Sequence, residues 1–313
     1  MNLFEKSNHV GHCVLAGDTS CGSKLLYEYL CQHPTVLPAK RKEINYFIGR
    51  RIYTQEEYTI ALNSTLERDV FHESGGESAS HPRISGRPED HPFMTIDGST
   101  QYFRYPANIP QKLHNISPNS KIVFLFRNSI DRMYSNYQMN IERGHPKYIQ
   151  KWPTFSKFLW TSGWKLDSIN NYTENLKRWY QIFPQEQILV IKSEDLFENT
   201  QETLTKIFEF LDLVPHKIEP ITPTPVTIHY SPMKIEERIT LERYFEPINN
   251  KLYTLIGRDL NWVSQHHLDA PPVMRGFSEC VPAGACLLPE VVPVRMKLRR
   301  PRPAQRVRKQ AKK

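Results

Sequence analysis

The sequence predicts an α/β protein: a P-loop-like parallel sheet flanked by helices, followed by a disordered basic C-terminal tail. Three observations lead there. Lys121–Phe126 (KIVFLF) and Gln187–Lys192 (QILVIK) are short, strongly apolar runs, suited to strands buried on both faces. A third run, Cys13–Ala16 (CVLA), passes through a small-residue turn, Gly17–Gly22, directly into an amphipathic segment. Such runs alternate with helical periodicity, as in a parallel sheet covered on both sides.

In chain order, Cys13–Ala16 is a strand and Ser23–Gln32 a helix, with Leu26, Tyr27 and Leu30 at helical spacing. Residues 33–47, interrupted by Pro34 and Pro38, read as a loop. Residues 50–70 read as a polar, irregular helix, and residues 71–93, rich in Gly, Ser, Pro and His, as a long surface insertion. MTIDGST (residues 94–100) supplies a short strand and a turn. After the strand Lys121–Phe126, Ser129 is the expected N-cap of a helix from Ile130 to Ile141. Ile169–Tyr180 forms another helix. In TLTKIFEFLDL, Leu204, Ile207, Phe208 and Leu211 share one helical face. A long helix, Pro232–Ile256, carries the stripe Leu241, Phe245, Ile248, Leu252 and Leu255, with a bend expected at Pro247. From Ser264 the periodicity fails and prolines accumulate. The expected organisation is one domain over residues 8–263 and a disordered Pro-rich, basic tail over 264–313.

The formal charge of +8 belongs to the tail: its last 19 residues hold ten Lys or Arg and no acid, leaving 31 basic against 33 acidic residues elsewhere. The body therefore carries no overall signature of nucleic-acid binding, and the tail is either simply solvated or a contact for anionic surfaces. Five cysteines, at 13, 21, 31, 280 and 286, do not form the pattern of a secreted disulfide framework. No apolar run reaches the roughly 18 residues of a membrane span, and the N-terminus lacks a basic start followed by an apolar block. A cytoplasmic location is the resulting expectation. No metal site is expected: His266 and His267 are adjacent, and Cys280 and Cys286 lie in the tail.

Three motifs carry chemistry. The turn into the first helix offers Ser20, Cys21, Gly22, Ser23 and Lys24, small residues that let backbone amides approach an anion closely. It is not a nucleotide triphosphate loop of the form G-x-x-x-x-G-K-[ST], because Ser23 and Lys24 stand where Lys and Ser/Thr should be. RNSIDRMYSNY (Arg127–Tyr137) places Arg127 at a strand end and Ser135 on the following helix, so that they grip a phosphate from two sides, or else Arg127 pairs with Asp131 and Ser135 simply packs. KEINYF (Lys42–Phe47) offers Glu43 as a proton acceptor for a substrate hydroxyl, or as one more solvated carboxylate.

Taken in order, these stretches resemble the sulfotransferases that use 3′-phosphoadenosine 5′-phosphosulfate (PAPS), above all the carbohydrate and heparan-type members and their bacterial relatives. SCGSKLLYEYLCQHP (Ser20–Pro34) is similar to the family's K-C-G-T-T-S-L-Y loop, helix and H-P. KEINYF matches K-E-x-x-F-F, IDGST loosely matches G-E-x-S-P, and FRNSIDRMYSNY matches L-R-N-P-x-x-R-A-Y-S-x-Y. Asn171–Leu213 resembles the family's helix, strand and E-D-L segment, and Ser231–Trp262 its last helix and G-R-D-x-x-W ending. The resemblance spans residues 10–263. It implies that residues 20–24 hold the phosphosulfate, that Arg127 and Ser135 hold the 3′-phosphate, and that Glu43 is the catalytic base. The implied reaction is metal-free, in-line transfer of a sulfuryl group to a hydroxyl, with a glycan as the implied acceptor. Trp152, Trp160 and Trp164 either line a cleft for sugar rings or pack a helical cap.

Departures bear on activity. The family's loop lysine falls on Ser20, and its second Thr on Lys24, whose long stem can reach back to supply the absent charge. Asp97 replaces a glutamate, and Thr100 and Ser129 replace prolines. The alternative expectation is a sulfotransferase-fold protein that binds nucleotide or glycan with weak turnover or none.

Overall fold

The structure, a computed structural model, describes residues 10–39, 42–48, 54–62, 93–105, 107–162, 171–221 and 233–262. The chain divides into two units, Met1–Met274 and Arg275–Lys313, and every described residue lies in the first. The expected insertion at 71–92 and the tail at 264–313 lie outside the described residues.

Five strands, β1 (Val10–Gly17), β2 (Val36–Pro38), β3 (Phe93–Asp97), β4 (Lys121–Phe126) and β5 (Ile188–Lys192), form one parallel sheet in the order β2-β3-β1-β4-β5. The period of two along a strand divides its residues between two cores. Val14, Ala16, Ile122, Phe124 and Phe126 face one core, completed by Tyr58, Leu113, Leu176, Trp179 and Leu252. Cys13, Leu15, Val123 and Leu125 face the other, completed by Leu26, Leu30, Leu204, Ile207 and Phe208. The first core is covered by α2 (Gln55–Leu62), α3 (Ile109–Ile116), α7 (Tyr172–Tyr180) and α10 (Ile235–Ile256), and the second by α1 (Ser23–Leu30) and α9 (Thr200–Phe210). The remaining helices are α4 (Ser129–Glu142), α5 (Pro146–Lys151), α6 (Phe155–Ser162) and α8 (Ser193–Glu198).

Some boundaries differ from the sequence reading. Pro34 and Pro38 argued for a loop, yet Val36–Pro38 is a strand; it lies at the sheet edge, where a proline without an N–H ends pairing at no cost to an inner ladder. Ser129 is not the cap of α4 but its first residue. Asn128 caps it, accepting from the Ile130 N–H, because Asn128 still has extended backbone angles, φ −43° and ψ 121°. The polar His12 hid the start of β1, and α10 runs through Pro247 without interruption.

His12 is buried in β1, with Nδ1 2.9 Å from Thr95 Oγ1 and Nε2 2.9 Å from the Tyr58 hydroxyl, which donates to Asp97 Oδ2 at 2.9 Å. Burial pushes the imidazole down to about 3 from 6.5. In the unfolded chain it takes a proton below pH 6.5, whereas in the fold it stays neutral, so stability falls as pH drops from 6.5 towards 3. The expected loss is about 2 kcal/mol between pH 6.5 and 5, at about 1.4 kcal/mol per pH unit. Burial also raises Asp97, which acts with the opposite sign; comparing His12→Gln with the native chain isolates the histidine's share. Urea unfolding at pH 7 and pH 5 checks this: His12→Gln should show a shallower pH dependence than the native chain, and equal slopes would refute it.

Candidate active site

β1 lies between β3 and β4, where the chain's strand order reverses, and ligands of open parallel sheets bind outside the carboxyl ends of strands at such a point. Four segments meet there: the turn after β1 and the segments after β2, β3 and β4. Gly17 lets β1 and β4 approach closely, since a Cβ would sit 2.7 Å from the Leu125 carbonyl oxygen. The turn then takes two left-handed steps, at Ser20 (φ 63°) and Gly22 (φ 85°). Gly22 is required twice over, because a Cβ there would also meet the Phe197 ring at 2.8 Å. Helix α1 opens directly from Gly22 with no side-chain cap and no acid in its first turn. Its first amides therefore have neither an intrahelical partner nor a competing carboxylate, which suits an anion.

Cys21 is a packing residue: its carbonyl accepts from the Ser193 hydroxyl at 2.8 Å, and burial pushes the thiol up to about 11, so it stays protonated. Lys24 Nζ pairs with Glu28, one turn further along α1, at 3.6 Å, and its side chain is 75% exposed. The positive charge drawn to the turn comes from Arg127 instead, whose Nη1 donates to the Ser20 carbonyl at 2.8 Å. The pairing of Arg127 with Asp131 does not occur: Asp131 accepts from Arg238 of α10 at 2.8 Å. Three residues fix the backbone beside Arg127. Tyr172 donates to the Arg127 carbonyl at 3.0 Å, Glu194 accepts from the Asn128 N–H at 2.9 Å, and Asn128 Nδ2 donates to the Trp262 carbonyl at 2.9 Å. The E-D-L segment and the tryptophan ending thus both brace the segment after β4. Ser135 is half-buried on α4, and its hydroxyl has no partner among the described residues.

On the β3 side, Glu43 Oε1 accepts from Thr100 Oγ1 at 2.9 Å and from Lys42 Nζ at 3.4 Å, and Oε2 faces Asn45 Nδ2 at 3.5 Å. Its side chain is 36% exposed, so the carboxylate is aimed by its neighbours and still open to a substrate. Below it, Asp97 accepts from Ser99 Oγ at 2.6 Å, and that oxygen accepts from the Asn45 N–H at 2.8 Å, tying the strand end to the Glu43 segment. Thr100, a departure from the family pattern, contacts Glu43 directly, whereas Asp97, the other, is linked to the Glu43 segment only through Ser99 and the Asn45 N–H. The sequence offered no signal for this contact.

A second feature was missed. Asp18, buried at the end of β1, accepts from Arg104 and lies 3.2 Å from Arg132 Nη1, while its Oδ1 takes the Thr19 N–H at 2.7 Å. Arg132 recurs in the quoted L-R-N-P-x-x-R pattern, which was the available signal; Arg104 had none. Burial pulls the Arg132 guanidinium down, but Tyr172 and Asp18 beside it hold it above its ordinary value, so it stays charged.

Trp152 resolves as packing: it is buried, donates from Nε1 to Thr161 at 2.6 Å and meets Tyr148 and Phe158 edge-on. The Trp160 side chain and Trp164 lie outside the described residues. Among the described residues, no group of three or more His, Cys, Asp or Glu is placed to hold a metal, and no helix is long and apolar enough to cross a membrane.

A parallel α/β sheet with an arginine hydrogen-bonded to the turn before an uncapped helix is an arrangement suited to phosphate- or sulfate-bearing groups. Residues 11–243 match the sulfotransferase domain, and the chain belongs to the sulfotransferase family. It is 22% identical to heparan sulfate glucosamine 3-O-sulfotransferase 5 of Mus musculus, over 84% of this chain and 77% of that one. It is 23% identical to carbohydrate sulfotransferase 15 of Mus musculus, over 65% of this chain and 44% of that one. Among solved structures, a sulfotransferase from Alicyclobacillus acidocaldarius has the same fold, with a TM-score of 0.53 at 20% identity, covering 80% of this chain and 98% of that one.

Proposed function

We propose that this protein is a PAPS-dependent sulfotransferase acting on a hydroxyl of a carbohydrate. The observation that carries the reading is the Arg127–Ser20 contact, which puts a guanidinium at the mouth of an uncapped helix N-terminus. PAPS, when bound, supplies the sulfuryl group. Ser20, Cys21, Gly22, Ser23 and Lys24 hold its phosphosulfate end through backbone amides and the Lys24 ammonium, because an exposed pair such as Lys24–Glu28 is weak and readily exchanged. Arg127 and Ser135 hold the 3′-phosphate. Glu43, fixed by Thr100, takes the proton of the acceptor hydroxyl as that oxygen bonds to sulfur and the bond from sulfur to the bridging oxygen breaks. The proton ends on Glu43, and the nucleotide leaves as 3′-phosphoadenosine 5′-phosphate (PAP).

The names of the relatives support a glycan acceptor. The test is incubation with sulfur-labelled PAPS and a panel of heparan and chondroitin oligosaccharides. Label should pass to at least one of them. A second reading, a protein that binds nucleotide or glycan without turnover, rests on the neutral Ser20 and on Lys24 being turned to Glu28. It predicts PAP binding with no label transferred to any oligosaccharide.

A further inference from the structure

We infer that the exposed ring of Phe197 is the surface on which the base of the bound nucleotide stacks. The inference rests on the PAPS reading above. Phe197 lies in α8 and is 47% exposed, while the other described phenylalanines are buried or half-buried. The ring rests on the turn after β1. A Cβ on Gly22 would meet Phe197 Cε1 and Cζ at 2.8 Å, and the next nearest atom is a Leu125 methyl carbon at 3.9 Å. The ring therefore stands edge-on to the turn, which covers neither of its faces. Helix α8 is fastened at three points. Ser193 donates to the Cys21 carbonyl at 2.8 Å, Glu194 accepts from the Asn128 N–H at 2.9 Å, and Leu196 is buried in the second core. Ser193 and Phe197 are one helical turn apart, so the hydrogen bond and the ring contact lie on one face of α8.

The sheet order decides which half of the site this ring serves. Glu43, the proton acceptor, follows β2, on one side of β1. Arg127 and Ser135 follow β4 and α8 follows β5, on the other side. The acceptor hydroxyl belongs to the first half and the nucleotide to the second. Within a nucleotide one ribose separates the base from its 5′-phosphate. A phosphate held at the start of α1 therefore brings the base within reach of a ring in contact with Gly22. An apolar ring left open to water is unfavourable, and covering it with the flat base removes that surface. Stacking on an aromatic side chain tolerates any base, because every base has a π-face. Phe197 thus contributes affinity for the nucleotide rather than the choice of base. It touches no reacting atom and is a binding residue, in contrast to Glu43.

The test is calorimetric titration of PAP and of 1-deoxyribose 3,5-bisphosphate, which keeps the sugar and both phosphates but lacks the base. The native protein should bind PAP about 10–10²-fold more tightly than the abasic analogue. Phe197→Ala should remove most of that difference by weakening PAP alone. Phe197→Leu, which keeps apolar bulk on the turn without a π-face, should do nearly the same, and Phe197→Trp should preserve the difference. A ring that only props the turn predicts instead that Phe197→Ala weakens both ligands equally and that Phe197→Leu restores both. That result, or undiminished PAP binding by Phe197→Ala, overturns the inference and leaves the PAPS reading standing. Thermal melting of each variant verifies folding. If the alanine variant fails to fold, Phe197→Trp decides the matter by fluorescence. Stacking predicts that PAP quenches the added tryptophan and that the abasic analogue does not; no quenching by bound PAP overturns the inference. Failure of the native protein to bind PAP overturns the PAPS reading and the inference together.

Discussion

Replacing Glu43 with glutamine is expected to lower turnover by about 10²–10⁴-fold while changing PAP affinity little, since that is the usual span of a lost general base. The substitution is nearly isosteric and keeps an oxygen to accept from Thr100, whose hydroxyl lies 2.9 Å from Glu43 Oε1. What it removes is the ability to take a proton. The second carboxylate oxygen has only the 3.5 Å contact with Asn45, so it is the face open to a hydroxyl. Thr100→Val should give a smaller loss of the same kind, because it leaves the base in place but no longer aimed. Initial rates of labelled transfer, read beside PAP affinity, separate the two: a Glu43→Gln enzyme with native turnover would remove Glu43 from the mechanism.

The second large effect concerns Arg127. Its Nη1 already serves the Ser20 carbonyl, and a guanidinium carries five donors, so others remain to receive a phosphate. Arg127→Ala removes that charge and releases the carbonyl of a residue held at φ 63°, a backbone state that non-glycine residues seldom adopt. With charge-assisted hydrogen bonds contributing about 1.5–3 kcal/mol each, the loss of two should weaken PAP binding by about 10²-fold or more. The fold should survive, because Arg127 is a half-buried residue at the end of β4 and the strand itself is held by the apolar run Ile122–Phe126.

Much of this was legible in the sequence for identifiable reasons. β4 was read correctly to its ends because six residues of nearly continuous hydrophobicity fit only a strand buried on both faces. The strand, turn and helix at residues 13–30 were legible because small residues mark a tight turn, and Gly22 does take a left-handed angle. β2 was lost because proline is a poor strand residue everywhere except at an edge, and edge position is a property of the whole sheet. The cap of α4 was misplaced by one residue because Asn128 and Ser129 are both good caps, and only the backbone angles choose between them. The Asp18–Arg104 pair was invisible for a different reason: its members lie 86 residues apart in sequence and meet only because β3 flanks β1. The same holds for Thr100 and Glu43. Motif spacing reports what one segment can do, whereas the charge balance of the site comes from four segments together.

The most direct test of the central claim is calorimetric titration of PAP into the native protein and into Arg127→Ala. Saturable binding by the native protein that the substitution weakens by about 10²-fold is the predicted result. A folded native protein that does not bind PAP, or an Arg127→Ala variant that binds it as well as the native protein does, would contradict the assignment of the nucleotide site.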